Sequence, residues 1–457
     1  MTPEGEALWG ESGLRITEAS EFDKYNPKVC VDNEGGIYVA WISETDLYYN
    51  LFMQHIDEDG NTLWDEEDTR ITNNEFSYGL EALIPDGNGG AVLLWVIDGG
   101  DGVDNIWIER INENGERLWG EEGSGLVVCN TRLRQSDPRI MQHQEGFVVV
   151  WVDGRDDENR GVQLDIFGQF INPDGSFRWR ENGSAICGEE HHQVSPSIAV
   201  DNEDNIWVAL VDHRYEGGPR RRDIYIQKVS PEATDEWQVH TLLDDRNGVG
   251  VCTANSDQQY PCLVYDGHIG MWVIWDDRRR STSSNIYATH LNTNGEPLDG
   301  WGENGQVVCD AYRMQDYPQA ALIRRYGDTG IVVAWIDERA TYYDVSSDIY
   351  AQRIDDDLVS VRQEKPEAIP TGYILEEAYP NPFNSQTLIS YTAKIDGHVK
   401  IGLFDVTGRF IRQLSSERTS AGRHQIWLNA ENLPAGSYMI KLEAGDVELE
   451  RKITLIK

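Results

Sequence analysis

An acid and a guanidinium stand two residues apart in the stretch WVDGR, residues 151–155. Alternate residues of a strand point to the same side, so Asp153 and Arg155 can act together. A fork-shaped guanidinium beside a carboxylate can bind an anionic ligand, or it can tie loop ends through paired hydrogen bonds. The same spacing recurs in three further pairs, which are Asp212 and Arg214, Asp277 and Arg279, and Asp337 and Arg339.

This recurrence favours a structural use of the Asp-x-Arg pair. A feature that is copied from repeat to repeat serves what the repeats share, which is packing. Each pair precedes a variable loop that leads to an acid or amide before an aromatic residue, at Asp165, Asp223, Asn285 and Asp348. We therefore expect a structural latch in which the arginine ties the loop ends and bridges to the next repeat. A ring of ligand-binding pairs is the alternative.

The pairs belong to six similar segments, each about 60 residues long. Equivalent positions are Trp41, Trp95, Trp151, Leu210, Trp275 and Trp335. Each segment has short alternating runs bounded by Gly, Asn and Asp turns, which indicate a four-stranded antiparallel meander. Repeated meanders are typical of propeller blades. We therefore predict an all-β fold with a six-bladed β-propeller over residues 1–355.

The ends of the repeat array predict how the ring closes. The sixth repeat lacks its fourth run, whereas residues 4–20 resemble a fourth run with nothing before it. The N-terminal strand is therefore expected to complete the last blade and cover its unpaired edge. A seventh blade ahead of residue 1 is the rival interpretation.

Charge and hydropathy exclude several classes of partner. The 457 residues carry a formal net charge of −40, which repels nucleic acid backbones and anionic lipid surfaces. No apolar run approaches about 18 residues, so no membrane span is expected. The first residues show no apolar core of a signal peptide, so no leader is visible.

The composition changes after the sixth repeat. Residues 356–372 are polar, contain two prolines and read as a linker. Residues 373–457 contain ten Lys or Arg and ten Asp or Glu, so the entire −40 lies before them. Their runs alternate apolar and polar residues, which predicts a small immunoglobulin-like β-sandwich.

This tail contains YPNPFN (379–384), VKIGLFDVTGRFIRQL (399–414), LPAGSYMIKL (433–442) and a terminal KITLIK. Their order and spacing resemble the type A C-terminal sorting domain of type IX secretion cargo from bacteria of the Bacteroidetes type. The resemblance implies handling by the type IX secretion machinery and a final location outside the cell or on the outer-membrane surface. It departs from the family in the missing leader. The matching sorting-motif positions are Tyr379, Pro380, Asn381, Pro382, Phe383, Asn384, Gly408, Gly436 and Lys452. The prolines predict an extended lead-in, and the two glycines fit tight turns.

Unrepeated loop residues are the candidates for ligand binding. In a propeller, the loops between second and third strands share one face with the crossings between blades. Aromatic rings stack on sugars, and arginines pair with carboxylates or sulfates. The candidates on this face are Arg132, Arg134, His191, His192, Tyr215, Arg220, Arg221, Arg222, Tyr342 and Tyr343. The alternative interpretation is that these side chains are solvent-exposed loop residues with no binding role.

The sequence predicts no cofactor and no metal site. Cys and His residues show no zinc spacing, and the DG turns lack the later ligands of a calcium loop, so hairpin turns are favoured over calcium sites. Cys129, Cys187, Cys252 and Cys309 share one repeat position and are expected to be buried free thiols. A disulfide between Cys252 and Cys262 is left open.

These observations favour a binding protein over an enzyme. GxSxG, HExxH and P-loop signatures are absent from the sequence. We expect a secreted or cell-surface propeller that binds a glycan or a protein. The alternatives are a polysaccharide-active hydrolase or lyase on the same scaffold, and a structural surface or adhesion component.

Overall fold

The computed structural model describes residues 9, 13–17, 22–44, 49–64, 69–72, 77–98, 104–120, 125–131, 133–155, 163–214, 222–232, 241–243, 247–268, 270–280, 283–311, 313–325, 328–339, 347–355, 373–375, 378, 381, 383–384, 386–393, 397–406, 409–419, 422–430, 433–445 and 447–456. Over these residues the chain forms strands and turns and no helix, which confirms the all-β prediction. The chain divides into two compact units, Met1–Val361 and Arg362–Lys457. The predicted linker, 356–372, lies outside the described residues.

The described residues of the first unit form six antiparallel sheets, each with its strands in chain order. Sheet 1 holds β1 (Lys24–Val31), β2 (Ile37–Glu44), β3 (Tyr49–Ile56) and β4 (Thr69–Arg70). Sheet 2 holds β5 (Ser77–Pro85), β6 (Ala91–Asp98), β7 (Asp104–Ile111) and β8 (Leu126–Cys129). Sheet 3 holds β9 (Gln135–His143), β10 (Gly146–Asp153), β11 (Asp165–Ile171) and β12 (Ser184–Cys187).

The remaining three sheets follow the same plan. Sheet 4 holds β13 (Gln193–Val200), β14 (Ile206–Asp212), β15 (Asp223–Val229) and β16 (Val249–Cys252). Sheet 5 holds β17 (Gln258–Tyr265), β18 (Gly270–Asp277), β19 (Asn285–Asn292) and β20 (Gln306–Cys309). Sheet 6 holds β21 (Gln315–Arg325), β22 (Asp328–Asp337) and β23 (Asp348–Asp355). Four-stranded meanders of this kind are consistent with propeller blades.

Neighbouring sheets pack face to face through apolar side chains. The first strands lie side by side in the order β1, β5, β9, β13, β17 and β21. The buried clusters combine adjacent sheets; for example, Trp95 of sheet 2 packs with sheet 1, while Trp151 of sheet 3 packs with sheet 2. Second strands such as β10 are apolar on both faces, and sheets 2 to 5 are each packed between two neighbouring sheets.

Each first strand except β5 contains a β-bulge with a left-handed residue before a proline. These residues are Asn26, Asp137, Ser195, Tyr260 and Tyr317, with φ between 51° and 54°. The bulge shifts the register against the second strand by one residue. Bulky side chains rarely adopt this conformation, so the two tyrosines are held there by their surroundings.

The sixth sheet lacks a fourth strand among the described residues. Ile349 of β23 is 74% exposed. Its register equivalents, Leu51, Ile106, Ile166, Ile224 and Ile286, are 0% exposed because a fourth strand and the next sheet cover them. The outer face of β23 is therefore open.

The N-terminal segment packs against sheet 1. The indole Nε1 of Trp9 donates to the Glu58 carbonyl at 3.1 Å, and Trp9 and Ile16 pack on Val39 and Trp41. Trp64, Trp119 and Trp179, which follow the third strands of sheets 1 to 3, donate in the same way to the next sheet's third-strand turn, at Glu113, Pro173 and Glu232. Towards sheet 1, the segment therefore occupies the place of a preceding sheet's outer edge.

The second unit contains two antiparallel sheets around one apolar core. One sheet has the order β24-β25-β28, with β24 (Ile374–Leu375), β25 (Gln386–Ala393) and β28 (Gly422–Asn429). The other has the order β27-β26-β29-β30, with β26 (Gly397–Asp405), β27 (Phe410–Thr419), β29 (Gly436–Ala444) and β30 (Val447–Leu455). Alternating burial along β29 places its apolar residues in the core, as the sequence pattern predicts.

Candidate functional site

The Asp-x-Arg pair of sheet 3 forms a compact polar cluster at the end of β10. The Asp153 carboxylate accepts hydrogen bonds from Trp151 Nε1 at 2.8 Å and from Arg155 Nη2 at 2.7 Å. The Arg155 guanidinium lies 3.8 Å above the Phe167 ring and donates to the Asn182 carbonyl at 2.7 Å. The arginine thus links the second, third and fourth strands of one sheet.

The same cluster recurs in the next three sheets. The Nη2 of Arg214, Arg279 and Arg339 lies 2.8, 2.5 and 2.5 Å from the aspartate two residues before it. Each guanidinium stacks on the tyrosine of the third strand, which is Tyr225, Tyr287 or Tyr350. From the sequence, the third-strand acid was the expected neighbour of the arginine, and this ring was not predicted. The aromatic residue two positions after that acid was the available signal.

A thiol from the preceding sheet enters each cluster. Cys129, at the end of sheet 2, lies 3.6 Å from both the Asp153 carboxylate and Arg155 Nη2 of sheet 3. Cys187, Cys252 and Cys309 approach the next sheet's arginine in the same way. Burial raises the pKa of Cys129 to about 11 and that of Cys252 to about 12, so these thiols stay protonated and poorly nucleophilic.

A second set of buried polar pairs lies at the opposite ends of the sheets. An aspartate in the first turn contacts a basic side chain of the third strand: Asp32 with His55, Asp86 with Arg110, Asp201 with Lys228, and Asp266 with His290. In sheet 3 the pair is replaced by a ring contact between His143 and Phe170. We call these pairs the turn clamps. The sequence analysis missed them, although the recurring turn aspartate is visible in the sequence.

Unrepeated polar residues meet where sheet 5 contacts sheet 6, at the loop end. Asp276 is 1% exposed and Asp316 is 8% exposed, and the two carboxyl groups are in hydrogen-bonding contact. The buried hydroxyl of Ser284 donates to Asp316 Oδ1. The β17–β18 register places Gln259 directly opposite Asp276. We call this group the acid pair; in the sequence, its signal is an acid at the position of Val152 and Val211.

Burial and charge determine the protonation of the acid pair. Burial, the charge of Asp316 and its hydrogen bond together raise the pKa of Asp276 to about 8, although Arg278 opposes the shift. One carboxyl group is therefore neutral at pH 7, because two buried like charges in contact cannot both ionise cheaply.

Two exposed tyrosines lie beside the acid pair. Tyr260 and Tyr317 occupy the bulges of neighbouring first strands, with ring centroids 4.3 Å apart and hydroxyl oxygens 3.3 Å apart. Their exposed fractions are 37% and 49%. The hydrogen bond with Tyr317, burial and the charges of Tyr317, Asp276 and Asp316 raise the pKa of Tyr260 to about 12, so its hydroxyl stays protonated. The structure therefore presents an aromatic surface next to buried carboxyl groups.

Four of the predicted ligand residues, Arg134, His191, His192 and Arg222, fall within the described residues. Arg132, Tyr215, Arg220, Arg221, Tyr342 and Tyr343 lie outside the described residues. Arg134 is 72% exposed at its side chain and pairs with Asp104 at 3.1 Å. His192 Nδ1 accepts from the Leu164 N–H, while His191 and Arg222 each use a carbonyl to accept from a first-strand glutamine. No hydrogen bond, ion pair or ring contact joins any two of these four described residues.

The described residues include no group of three or more His, Cys, Asp or Glu that could hold a metal ion. The Asp57 carboxylate in the first DG turn accepts from the backbone and side chain of Asn61, so it is used within the hairpin turn. Cys252 and Cys262 are both free thiols, and no disulfide joins them.

The described part of the sorting motif is attached to the last strand. Asn381 accepts from the Thr454 N–H at 2.8 Å and donates to the Lys452 carbonyl at 3.1 Å. Phe383 is buried and forms a parallel bridge with Leu455. Asn384 is exposed, and Gly436 begins β29. Tyr379, Pro380, Pro382 and Gly408 lie outside the described residues.

The chain is therefore a protein of stacked four-stranded sheets that carries a separate C-terminal β-domain. Residues 377–457 match the secretion system C-terminal sorting domain, which confirms the resemblance found in the sequence. This tail directs the protein to the cell surface or the extracellular space. No helix among the described residues is long and apolar enough to cross a membrane.

Several solved structures resemble the chain at low identity. A protein of unknown function from Dyadobacter fermentans is 11% identical, with a TM-score of 0.42, and the match covers 74% of this chain and 96% of that one. The α-L-arabinanase of Penicillium chrysogenum is 12% identical, with a TM-score of 0.43 and the same coverage. The GH93 α-L-arabinofuranosidase of Fusarium graminearum is 10% identical, with a TM-score of 0.41, covering 72% of this chain and 91% of that one. No conclusion about activity follows from these scores. No curated protein matches the chain.

Proposed function

We propose that residues 1–355 form a six-bladed propeller closed by the N-terminal strand, with residues 356–372 as linker and 373–457 as the sorting domain. The open face of β23 supports closure, because Ile349 is exposed where its equivalents are covered. Trp9 supports it from the other side, because it packs on sheet 1 as the outer tryptophan of a preceding blade would. Closure pairs residues 14–17 with β23.

A designed disulfide tests this closure. The β7–β8 register pairs Ile106 with Cys129, so the equivalent pair in the closed ring is Ile349 with Thr17. The double variant Thr17→Cys, Ile349→Cys is expected to form an intramolecular disulfide, detected by peptide mass spectrometry under non-reducing conditions. Each single variant is the control for reaction with native thiols. A bond only between two chains, or none, would contradict closure and favour a seventh blade or a second copy.

We propose that the exported propeller binds a glycan at the loop end of sheets 5 and 6. The observation that carries the proposal is the exposed Tyr260–Tyr317 surface beside the acid pair. Tyrosine rings stack on the apolar faces of sugars, and their hydroxyls and neighbouring carboxyl groups can hydrogen-bond sugar hydroxyls. The left-handed bulge recurs in five first strands, whereas a tyrosine at that position is specific to sheets 5 and 6.

The spacing of the two acids favours binding over hydrolysis. Glycosidases that use two carboxyl groups keep them about 5 to 9.5 Å apart, so that the sugar or a water fits between them. Asp276 and Asp316 are in hydrogen-bonding contact, which leaves no such space. The acid pair therefore suits a role beneath a bound ligand better than a role on either side of a scissile bond.

A glycan array with the full chain, followed by calorimetry on the best ligand, tests this function. Tyr317→Ala is expected to weaken binding about ten-fold, because it removes one stacking ring. Tyr260→Phe keeps both rings and should weaken binding less. Trp427→Ala removes an exposed aromatic side chain of the second unit and is the matched control, with unchanged affinity expected.

Two results would overturn the glycan proposal. Release of reducing sugar from a bound polysaccharide would show catalysis and favour the hydrolase alternative. If the parent protein binds no glycan on the array, and Tyr317→Ala folds normally, a structural or adhesion role would be favoured.

A further inference from the structure

The acid pair places a carboxyl group where the equivalent positions of sheets 3 and 4 hold apolar side chains. In the ladder with the third strand, Asp276 stands opposite Ile286, at the position filled by Val152 in sheet 3 and Val211 in sheet 4. In those sheets the side chain is buried and apolar and faces the next sheet. Sheet 5 instead has a carboxyl group, that of Asp276, at this position. It contacts a second carboxyl group, that of Asp316 in sheet 6.

The buried polar atoms around the pair are not fully satisfied. Asp276 Oδ1 is buried and has no hydrogen-bond partner. Gln259 lies directly opposite Asp276 in the ladder and is 9% exposed. Native proteins pair nearly all buried polar groups, so the unpaired Asp276 Oδ1 indicates a missing partner.

Charge indicates the sign of that partner. Asp276 and Asp316 together carry up to two negative charges in a buried place, and Arg278 is the cation that acts on Asp276. Buried charges are normally paired or coordinate a metal. A chain with a net charge of −40 also concentrates cations around itself.

The donor atoms select the kind of cation. The group offers two carboxylates, the Ser284 hydroxyl and the Gln259 amide oxygen, which are all hard oxygen donors. Calcium takes about six to eight oxygen ligands in flexible geometry and completes its shell with water. Zinc prefers nitrogen and sulfur, and magnesium demands a near-ideal octahedron. The site has only two acidic residues, so it differs from the sites with three or more that the described residues lack.

We propose that Asp276, Asp316, Ser284 and Gln259 form a calcium site that joins sheet 5 to sheet 6. Calcium there cross-links β17, β18 and β21, the strands that carry or adjoin Tyr260 and Tyr317. The site stands apart from the glycan proposal, because calcium binding is measured in the absence of any sugar.

Calorimetry and thermal unfolding of the full chain test the proposal. Protein stripped with EDTA and dialysed is titrated with CaCl₂, and one saturable site per chain and a higher Tm are expected. Asp276→Asn keeps size and shape and is expected to weaken calcium binding about ten-fold or more. Ser284→Ala leaves both carboxyl groups in place and should weaken it by a smaller factor. Asp174→Asn, in an exposed turn, is the matched control and should bind like the parent.

The contrary outcomes are distinct. No heat and no change of Tm with CaCl₂ in the parent protein would overturn the site. Equal calcium affinity in the parent and in Asp276→Asn would place the ion elsewhere and overturn it too. If Asp276→Asn raises the Tm by the same amount with EDTA and with CaCl₂, the pair holds a shared proton in place of calcium.

Discussion

Arg155→Ala is expected to lower the free energy of unfolding of the first unit by about 3 kcal/mol. The substitution leaves the fully buried Asp153 carboxylate without its guanidinium partner, and it also removes the stacking on Phe167 and the hydrogen bond to the Asn182 carbonyl. Trp151 and the Arg155 backbone N–H still donate to Asp153, which keeps the loss below that of an isolated charge. Thermal and urea unfolding of the full chain measure the effect.

Arg134→Ala is the matched control for this prediction. The Arg134 side chain is 72% exposed, so its loss should change the free energy of unfolding by less than about 0.5 kcal/mol. Arg155→Lys should fall between parent and alanine, because lysine keeps the charge but loses the planar fork. An unchanged melting point with lost ligand binding in Arg155→Ala would show that the Asp-x-Arg pair is a binding element, the alternative that the sequence left open.

Arg110→Ala is expected to destabilise the first unit by about 3 to 5 kcal/mol, since it breaks a buried turn clamp. Arg110 Nε donates to the buried Asp86 carboxylate at 2.9 Å, and its Nη1 reaches the Pro173 carbonyl of the next sheet at 2.9 Å. The variant therefore loses an ion pair within sheet 2 and a hydrogen bond between sheets 2 and 3. Chemical unfolding and hydrogen exchange of β9 amides should both report the loss.

Arg139→Ala controls for removal of an arginine near the same interface. Arg139 pairs with Asp137 at 2.5 Å, but both side chains are substantially exposed, and little change in stability is expected. If Arg110→Ala proved as stable as Arg139→Ala, the turn clamps would contribute little, and the apolar contacts between the sheets would carry the stability.

The sheets were predictable because each local signal agrees with the next. Short apolar runs such as FVVVWVD indicate a buried strand, DG and NG turns indicate the hairpins, and the repeat places equivalent strands in equivalent surroundings. The Asp-x-Arg spacing was visible for the same reason. The geometry of the pair was less predictable, because the ring under Arg155 and the thiol beside it lie on other strands. The sequence does not state the register of those strands.

The acid pair could not be predicted because it depends on contacts between sheets. Asp276 and Asp316 are 40 residues apart, since 316 − 276 = 40, and many of the 79 acidic residues have similar separations. Only the packing of sheet 6 on sheet 5 brings these two together. Arginines, histidines and tyrosines on the long, variable loops were the predicted ligand residues, whereas Tyr260 and Tyr317 belong to strand bulges within the repeated motif.

The thiols in the Asp-x-Arg clusters give the array a direction. Cys129 precedes Asp153 and Arg155 in the chain, so a growing polypeptide presents the thiol before the cluster that receives it. The same holds for Cys187, Cys252 and Cys309. Each of these clusters can therefore be completed as soon as its own sheet has been synthesised, because the thiol that it receives already exists. Early completion limits the time for which an unpaired strand edge is open to aggregation. The first two sheets have Ser43 and Ile97 at the aspartate position, so they hold no Asp-x-Arg cluster for a preceding thiol to enter.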